Sequence, residues 1–398
     1  MMMKQTSLVP KRRFREFQDN SAWEQRKLGS VTNSYSGGTP SVGNYEYYDG
    51  EIPFIRSAEI NNDSTELFIS ESGLKNSSAK LVEVGDILYA LYGATSGEVG
   101  ISRINGAINQ AILAIQPYKG YDSQFIMQWL RKQKQKIINK YLQGGQGNLS
   151  GLIVKDIEIE FPRFDEQVEI GSFFKELDHL ITLHQRKLDK TKALKSAYLS
   201  EMFPAEGESE PKRRFAGFTG AWEQRKLGEI ATFINGRAYS QNELLSDGKY
   251  KVLRVGNFYT NSSWYYSDME LGEKYYAEAG DLLYTWSATF GPHIWHGDKV
   301  IYHYHIWKIE LSGLFNKQFA VQVLEYDKVK IMSDSNGSTM IHITKKGMEE
   351  KEVFLPSVAE QERIGLFFDN LDHLITLHQR KLEKLQNIKK AYLNEMFV

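Results

Sequence analysis

Apolar residues recur with helical spacing in two stretches of the chain. The sequence LDHLITLHQRKL occupies 177–188 and returns at 371–382. Around each copy, apolar residues alternate in steps of four and three, which is the a and d spacing of a coiled coil. The pattern predicts two long helices that pack along one seam. The predicted seam residues are Ile170, Phe174, Leu177, Ile181, His184 and Leu188 in the first helix, and Ile364, Phe368, Leu371, Ile375, His378 and Leu382 in the second.

A second apolar line runs beside each seam. It consists of Phe173, Leu180 and Leu183 in the first helix, and of Phe367, Leu374 and Leu377 in the second. Because two paired helices need only a narrow seam, this line either packs against the chain's own globular domains or binds another protein. The two seam histidines occupy equivalent positions, which favours a role in fixing register over metal binding.

The repeat extends well beyond the helices. The sequence PKRRF begins at Pro10 and at Pro211, and the octet AWEQRKLG follows at 22–29 and 221–228. The offset between copies is 199 residues at the octet, 195 at the VGDILY/AGDLLY pair and 194 at the helices. These nearly constant offsets indicate one unit copied twice.

Between the octet and the long helix, each unit has a strand-rich pattern. Short apolar runs at 52–55, 87–91 and 111–115 are separated by Gly, Asn, Ser and Pro, which favours strands and turns, and one amphipathic helix is predicted in the first unit at about 122–142. The predicted fold class is α+β: two strand-rich α/β domains separated by a coiled coil of two long helices. If the helices form an antiparallel coiled coil, the chain has internal pseudo-twofold symmetry. The predicted limits are a basic lead at 1–20, a first domain at 21–164, a central helix at 165–203, a linker at 204–218, a second domain at 219–357 and a final helix at 358–398.

Composition limits the compartment and the chemistry. The chain has 398 residues, no cysteine and a formal net charge of −1, so disulfides are not expected and any positive field for nucleic acid must be local. The opening segment lacks the apolar core of a signal peptide, and no apolar run approaches the length of a membrane span. We therefore expect a cytoplasmic protein without a membrane partner.

The motifs of several enzyme classes are missing from the sequence. It contains no Pro-Pro pair for an (N/D)PP(Y/F) methyl-transfer motif, no GxxxxGK[ST] phosphate-binding loop, no HExxH and no GxSxG. We therefore expect no catalytic residues.

Four histidines lie close together in the second unit, at 293, 296, 303 and 305. Counted along the repeat, the first unit has Glu98 near His293, Ile108 at His303 and Gln110 at His305. A structural metal that the scaffold needs is expected in both units, and companion ligands are not evident. We therefore predict no metal site, and assign the histidines to nucleic-acid contact or to the core.

Polar residues in Gly-rich loops suit nucleic-acid recognition. Arg, Asn, Gln, Ser, Thr and Tyr side chains bond base edges and phosphates. In the first unit the predicted DNA-binding residues are Ser36, Gly38, Thr39, Arg56, Tyr92, Thr95, Ser96, Gln110, Gln146 and Asn148. In the second unit they are Asn235, Arg237, Tyr239, Arg254, Asn257, Ser287, Thr289, His293, His305, Ser338 and Thr339. A basic block from Arg131 to Lys140 either takes phosphate charge or is a solvated helix face.

Two divergent globular regions, each followed by a helix with LDHLITLHQRKL and a closing AYLxEMF, resemble the specificity subunit of type I restriction-modification systems. The octet, the VGDILY/AGDLLY pair and the helix entries FPxxxEQxxIGxFF at 161–174 and LPxxxEQxRIGxFF at 355–368 support the resemblance over essentially the whole chain. The resemblance implies two target-recognition domains that each read one half of a bipartite, asymmetric DNA site. It implies that the coiled coil sets the spacer between the halves.

The same resemblance implies the partners. They are double-stranded DNA, two modification (methyltransferase) subunits that dock on the helices, and restriction (motor and nuclease) subunits reached through the complex. S-adenosylmethionine, ATP and Mg belong to those partner subunits, and this chain is expected to bind no cofactor. Two alternatives stay open: a coiled-coil scaffold whose domains bind proteins, and a self-sufficient methyltransferase, which the missing motifs disfavour.

Overall fold

The computed structural model describes residues 8–141, 148–259, 261–287, 289–334 and 343–398. The chain forms two compact units, one from Met1–His184 with Lys381–Val398 and the other from Gln185–Arg380. We call them unit 1 and unit 2. The two are built on nearly the same order of strands and helices.

Unit 1 contains ten strands and four short or medium helices in its described residues, followed by the first long helix. The strands are β1 (Glu24–Lys27), β2 (Thr32–Ser36), β3 (Ile52–Ile55), β4 (Phe68–Ile69), β5 (Lys80–Val82), β6 (Ile87–Ala90), β7 (Val99–Ile101), β8 (Gly106–Ile108), β9 (Ile112–Pro117) and β10 (Glu158–Phe161). The helices are α1 (Leu28–Val31), α2 (Glu71–Lys75), α3 (Ser123–Tyr141), α4 (Gly151–Lys155) and the long α5 (Phe164–Glu201), which continues into unit 2.

Unit 2 repeats this plan with one helix fewer in its described residues. Its strands are β11 (Glu223–Lys226), β12 (Ala231–Asn235), β13 (Tyr250–Leu253), β14 (Tyr265–Ser267), β15 (Tyr276–Ala277), β16 (Leu282–Thr285), β17 (Gly291–Ile294), β18 (Val300–Tyr302), β19 (Ile306–Leu311) and β20 (Glu352–Leu355). Its helices are α6 (Leu227–Ile230), α7 (Lys317–Asp334), α8 (Lys345–Glu349) and the long α9 (Val358–Met396), which ends in unit 1. The sequence pattern predicted a medium-length helix in the first unit alone, and α7 shows that the second unit has one as well.

Each unit holds two four-stranded sheets and one two-stranded pair. In unit 1 the sheets have the orders β2-β9-β6-β7 and β4-β3-β8-β5, and in unit 2 they have the orders β12-β19-β16-β17 and β14-β13-β18-β15. Among the strands that the structure describes, all pairings are antiparallel except β3 with β8 and β13 with β18. These two parallel pairs position the candidate interface, because their carboxyl ends lie at one edge of the sheet.

The halves of the long helices run antiparallel within each unit. In unit 1 the Phe173 ring lies 5.2 Å from that of Tyr392, and Lys389 Nζ lies 2.5 Å from Asp178. The residue numbers of the partners on α9 therefore fall as the numbers on α5 rise, which defines an antiparallel pair. In unit 2 the same relation joins Lys195 to Asp372 at 2.6 Å and the Tyr198 ring to that of Phe367 at 5.0 Å.

The predicted seam residues divide into two sets by burial. The seam residues at the start of each helix are buried, and so are Leu188 and Leu382. The seam residues between them are half-buried: Ile181, His184, Ile375 and His378. In unit 1, Ile170, Phe174 and Leu177 join the main core. In unit 2, Ile364, Phe368 and Leu371 do the same.

The second apolar line has two fates. Phe173 and Phe367 pack against aromatic rings of their own units, Phe14 at 5.8 Å and Phe215 at 5.8 Å. The four leucines of the line remain 36–42% exposed; they are Leu180, Leu183, Leu374 and Leu377. The aromatic residues therefore pack within their own units, as the first interpretation expects. The leucines remain accessible, and their binding of another protein stays a prediction.

The repeated PKRRF sequence packs against a long helix in each unit. It lies in the basic lead of unit 1 and in the predicted linker before the second domain. In unit 1 the Arg13 guanidinium makes two bonds to Glu166, at 2.5 and 2.8 Å, and both side chains are buried. In unit 2, Arg214 does the same to Glu360 at 2.7 and 2.9 Å. Each glutamate lies in the first turn of a long helix, where its charge also complements the helix dipole. The segment around Arg214 is therefore an ordered part of unit 2 and not a free linker.

Candidate nucleic-acid interface

The carboxyl ends of the two parallel strands bring predicted recognition residues together. In unit 1, Arg56 directly follows β3, and the Asn109 N–H after β8 donates to Ile55 O at 3.4 Å. In unit 2, Arg254 follows β13, and the His303 N–H after β18 donates to Leu253 O at 2.9 Å. We call these two equivalent places the recognition edges.

A glycine turn closes over the edge of unit 1. The Gly38 N–H donates to Ile108 O at 3.2 Å. A Cβ on Gly37 would lie 1.9 Å from that same oxygen, so only glycine fits there. The turn places Thr39 against Gln110, with a hydrogen bond between their side chains. Thr39 and Gln110 therefore form an exposed polar pair, and Ser36, which ends β2 before the turn, is also exposed. Their contact with DNA stays a prediction.

Two further loops of unit 1 join this edge. The Leu91 N–H donates to Ala111 O at 2.8 Å, and the Leu149 N–H donates to Leu91 O at 2.9 Å. Asn148 and Tyr92 are thereby held beside the start of β9. Thr95 and Ser96 lie in the same β6–β7 loop as Tyr92. The predicted contact Gln146 lies outside the described residues.

Arg56 is neutralised within unit 1. Its guanidinium bonds Glu59 at 2.7 and 3.1 Å and reaches Glu66 at 3.3 Å. These bonds, with burial opposing them, lower the pKa of the Glu59 carboxyl to about 2. Arg56 therefore has acidic partners of its own and is a weaker candidate for DNA contact than its place in the fold suggests.

The glycine turn of unit 2 has the same backbone and different side chains. A Cβ on Gly236 would lie 2.4 Å from His303 O. The Arg237 N–H donates to Tyr302 O at 3.1 Å, and Arg237 Nη2 bonds Glu243 at 2.7 Å beside the Tyr239 ring. Asn235 ends β12 immediately before the turn. Arg237 is thus also paired with a carboxylate.

Aromatic and imidazole rings cover the edge of unit 2. The His305 ring centroid lies 4.9 Å from Trp286 and 3.9 Å from Tyr304, and Trp286 Nε1–H donates to Tyr304 O at 2.9 Å. Burial lowers the pKa of His303 to about 4, so its ring is neutral near pH 7. Ser287 and Thr289 lie in the adjoining β16–β17 loop. Rings of this kind stack on bases or sugars.

His293, a predicted DNA-binding residue, packs against the interior of unit 2. Its ring stacks on Phe258 at 4.1 Å, and Nε2 lies 3.1 Å from the Tyr259 hydroxyl. Burial, and then Lys328, lowers its pKa to about 4. These contacts give the ring a packing role, and its contact with DNA stays a prediction.

The side chain of Asn257 is committed to the backbone around it. Its Nδ2 donates to Asn261 O at 3.1 Å and to Ser263 O at 2.9 Å, and its Oδ1 accepts the Arg254 N–H at 3.0 Å. The amide therefore shapes the loop that follows Arg254. Predicted contacts Ser338 and Thr339 lie outside the described residues.

The strand register corrects the matching of histidines between units. Counting placed Ile108 opposite His303, Gln110 opposite His305 and Glu98 near His293. In the sheets, Asn109 corresponds to His303 and Ala111 to His305, because the Leu91 and Trp286 N–H groups bond Ala111 O and His305 O respectively. Gly100 corresponds to His293, because each pairs with the second residue of β6 or β16. The counted offset was one or two residues wrong because the loop lengths differ.

Contacts account for most of the basic block on α3. Arg131 Nη1 bonds Asp178 at 3.1 Å, Lys134 pairs with Glu98, and Lys132 Nζ reaches Phe397 O at 3.3 Å. These cations serve unit 1 itself, which favours the structural interpretation for them.

Neither a metal cluster nor a membrane span is found in the part of the chain that the structure describes. Those residues contain no group of three or more His, Asp or Glu side chains placed to hold an ion. Among the same residues no helix is long and apolar enough to cross a bilayer.

Three residues of the edges were missed in the sequence. Tyr304 and Trp286 lie on the surface of unit 2, and Asn109 holds the equivalent of His303 in unit 1. The parallel pairing reveals Asn109, because it places the residue after β8 beside the residue after β3. Trp286 joins the edge of unit 2 because its backbone N–H bonds His305 O and its ring N–H bonds Tyr304 O.

Comparison with known proteins identifies the scaffold. Residues 20–193 and 220–387 both match the family described as "Type I restriction modification DNA specificity domain". The chain is 20% identical over 393 residues to the type I restriction enzyme MjaVIII specificity subunit of Methanocaldococcus jannaschii, covering 94% of this chain and 91% of that protein. The MjaIX specificity subunit of the same organism is 23% identical over 407 residues, covering 94% and 92%.

A solved structure shares the fold. The S subunit of a type I restriction-modification system from M. genitalium superposes with a TM-score of 0.69 at 17% identity, covering 98% of this chain and 99% of that one. Since the family model covers most of both units, the chain belongs to the type I restriction-modification DNA specificity family and is a specificity subunit.

Proposed function

We propose that this chain selects the DNA sequence on which a type I restriction-modification complex acts. Each unit reads one half of a bipartite, asymmetric site with its recognition edge. One observation carries the proposal: the edges have the same backbone plan but present different side chains. Unit 1 shows Thr39, Asn109 and Gln110, whereas unit 2 shows His303, Tyr304 and His305.

Selection from random duplexes tests this function. The full chain, co-expressed with the methyltransferase subunit of its own system, is incubated with randomised duplexes, and the retained DNA is sequenced. A two-part motif with a fixed gap is expected. Absence of any motif contradicts DNA reading and favours the scaffold alternative.

Exchange of one recognition domain tests whether each unit reads its own half of the DNA site. Residues 219–357 are replaced by the corresponding domain of a relative. One half of the motif is expected to change while the other half stays the same. A change in both halves contradicts the proposal.

The paired long helices act as the spacer in this proposal. An inserted helical turn of four residues adds about 6 Å. Such an insertion at Ala193 or at Gln386 is expected to change the gap and leave both half-sites intact. Altered half-site sequences with an unchanged gap contradict the spacer role.

The exposed leucines supply the docking surface for two modification subunits. Leu180 and Leu183 lie on α5, and Leu374 and Leu377 on α9, where ordinary solvated faces carry polar residues. Restriction subunits join through that complex, in the cytoplasm. S-adenosylmethionine, ATP and Mg act in those partners, and this chain contributes recognition without catalysis.

A pair of charge variants tests the docking surface. Leu374→Glu is expected to weaken assembly with the modification subunit at least tenfold, because it buries a carboxylate in an apolar contact. Gln379→Glu adds the same charge at an exposed polar position of the same helix and is the matched control. Equal binding by both variants contradicts docking at the leucines.

A further inference from the structure

Two arginines occupy the same place on the scaffold and differ in their surroundings. Arg56 and Arg254 each follow the strand that pairs in parallel at the recognition edge. In each case a side chain three residues later accepts the arginine's backbone N–H at 3.0 Å. That side chain is the carboxylate of Glu59 in unit 1 and the neutral amide of Asn257 in unit 2.

The exchange of Glu for Asn removes the acidic partner. Glu59 bonds the Arg56 guanidinium twice. The Asn257 amide instead holds the loop at Asn261 and Ser263. Among the described residues, no carboxylate forms an ion pair with Arg254, and no acceptor bonds its guanidinium.

The Arg254 side chain is restrained although it is unpaired. Its guanidinium carbon lies 4.1 Å from the centroid of the Tyr265 ring, which is a close cation–π contact. Its Nε is buried and lacks a partner among the described residues, while the side chain as a whole is only half-buried. Guanidinium groups only donate hydrogen bonds. A restrained donor with unused N–H groups, at a surface edge, is suited to a ligand that offers paired acceptors.

Guanine is the base that fits this donor. In the major groove its O6 and N7 accept two bonds from one guanidinium. A phosphate also offers paired acceptors, but phosphate sites gather several cations. Close to Arg254 on this edge are His303, which is neutral near pH 7, and the ring of Tyr265. The edge holds another cation, Arg237, but Glu243 already neutralises it.

We propose that Arg254 reads a guanine in the half-site of unit 2, and that unit 1 reads its half-site without base contact from Arg56. The inference rests on the proposed function, because it names the base contact of one recognition edge. It makes the two half-sites chemically unequal: one is read by a cationic fork, and the other by hydroxyl and amide groups.

Sequencing of selected duplexes tests the proposal. Wild type, Arg254→Gln, Arg254→Lys and Arg56→Gln are each assembled with the modification subunit and given the same random duplexes. In Arg254→Gln the preference for G at one position of one half-site is expected to fall tenfold or more. Arg254→Lys keeps the charge but loses the fork, so it is expected to lose much of that preference as well. Arg56→Gln is expected to leave the base identities of its half-site unchanged.

Each other outcome has a distinct meaning. An unchanged base preference with uniformly weaker binding, restored by Arg254→Lys, identifies a phosphate contact and overturns the inference. An unchanged motif in all variants also overturns it. Failure of wild type to select any two-part motif contradicts the proposed function itself. The half-site of unit 1 reports in the same reads that each variant is folded and assembled, and Arg254→Lys decides the matter if Arg254→Gln does not fold.

Discussion

The two units differ most where their backbones agree best. At the recognition edge, Gly37 and Gly236 both lie too close to the neighbouring strand for a Cβ. The residues that follow are Gly38 and Thr39 in one unit and Arg237 and Ala238 in the other. The same contrast holds beneath the edge. Gly100 of unit 1 is replaced by His293 in unit 2, and the adjoining loops change with it. The scaffold therefore fixes where side chains are presented, and the loops decide which ones.

The unchanged contacts explain which sequence blocks are repeated. The octet tryptophans Trp23 and Trp222 are buried against helix-end rings, Phe397 and Phe203, at 6.3 Å in both units. The glutamine of each helix entry ties the long helix to the residues before it and to the start of the medium-length helix. Gln167 donates to Pro162 O and accepts the Asp122 N–H, and the second unit has the same pair of bonds. These motifs serve the fold.

The largest expected effect on stability comes from the buried arginine–glutamate pair that both units share. Glu166→Ala and Glu360→Ala each leave a buried arginine without its carboxylate, at a cost of about 3–5 kcal/mol. Hydrogen exchange is expected to show the loss in the unit that carries the substitution. The cost should be greater for Glu166, because Arg13 is 5% exposed and Arg214 is 16% exposed. Losses below 1 kcal/mol in either unit contradict a shared structural role.

Low pH is expected to destabilise unit 2 more than unit 1, by a smaller amount than the glutamate substitutions. The folded state keeps His293 neutral with a pKa of about 4, below its ordinary value of 6.5, so the unfolded state binds more protons between these values. Its stabilising effect is complete above pH 6.5 and is lost as the pH falls towards 4. At pH 5 the loss is about 2 kcal/mol.

Thermal and hydrogen-exchange measurements from pH 7 to 5 check the acid prediction. Unit 2 should weaken more than unit 1, which has Gly100 at that position. His293→Phe removes the titrating ring in the pocket of Phe258, Tyr259 and Lys328. It should reduce the pH slope of unit 2, and His303, whose pKa is also lowered to about 4, accounts for part of the slope that remains. An unaltered slope in that variant contradicts the assignment.

The smallest expected effect on stability concerns two equivalent glycines, one in each unit. Gly85 and Gly280 are the third residues of the turns before β6 and β16, with φ of +104° and +93°, and a Cβ would meet no neighbour at either position. Gly85→Ala and Gly280→Ala should therefore cost backbone strain alone, about 1 kcal/mol each. Chemical denaturation of the two variants measures it. A difference of more than 1 kcal/mol between them breaks the comparison.

Much of the fold could be predicted because it repeats in the sequence. The helical spacing around Leu177 and Leu371 predicts both long helices, and the family resemblance agrees with the scaffold that is found. The candidate site was less accessible. Arg56 and Arg254 look alike in sequence, since each ends a short apolar strand, and only the hydrogen bonds of Glu59 and Asn257 distinguish a neutralised arginine from an unpaired one.

The sequence by itself determined the duplication, the two long helices and the type of side chain available for recognition, because periodicity and identity are properties of the chain. The tertiary structure alone decided which residues share an edge. Parallel pairing of β3 with β8 and of β13 with β18 joins residues about 50 positions apart, and it sets Asn109 and His303 as counterparts where counting failed. It also decided which charges are already paired, since ion pairing depends on distances of a few ångströms that no spacing along the chain specifies.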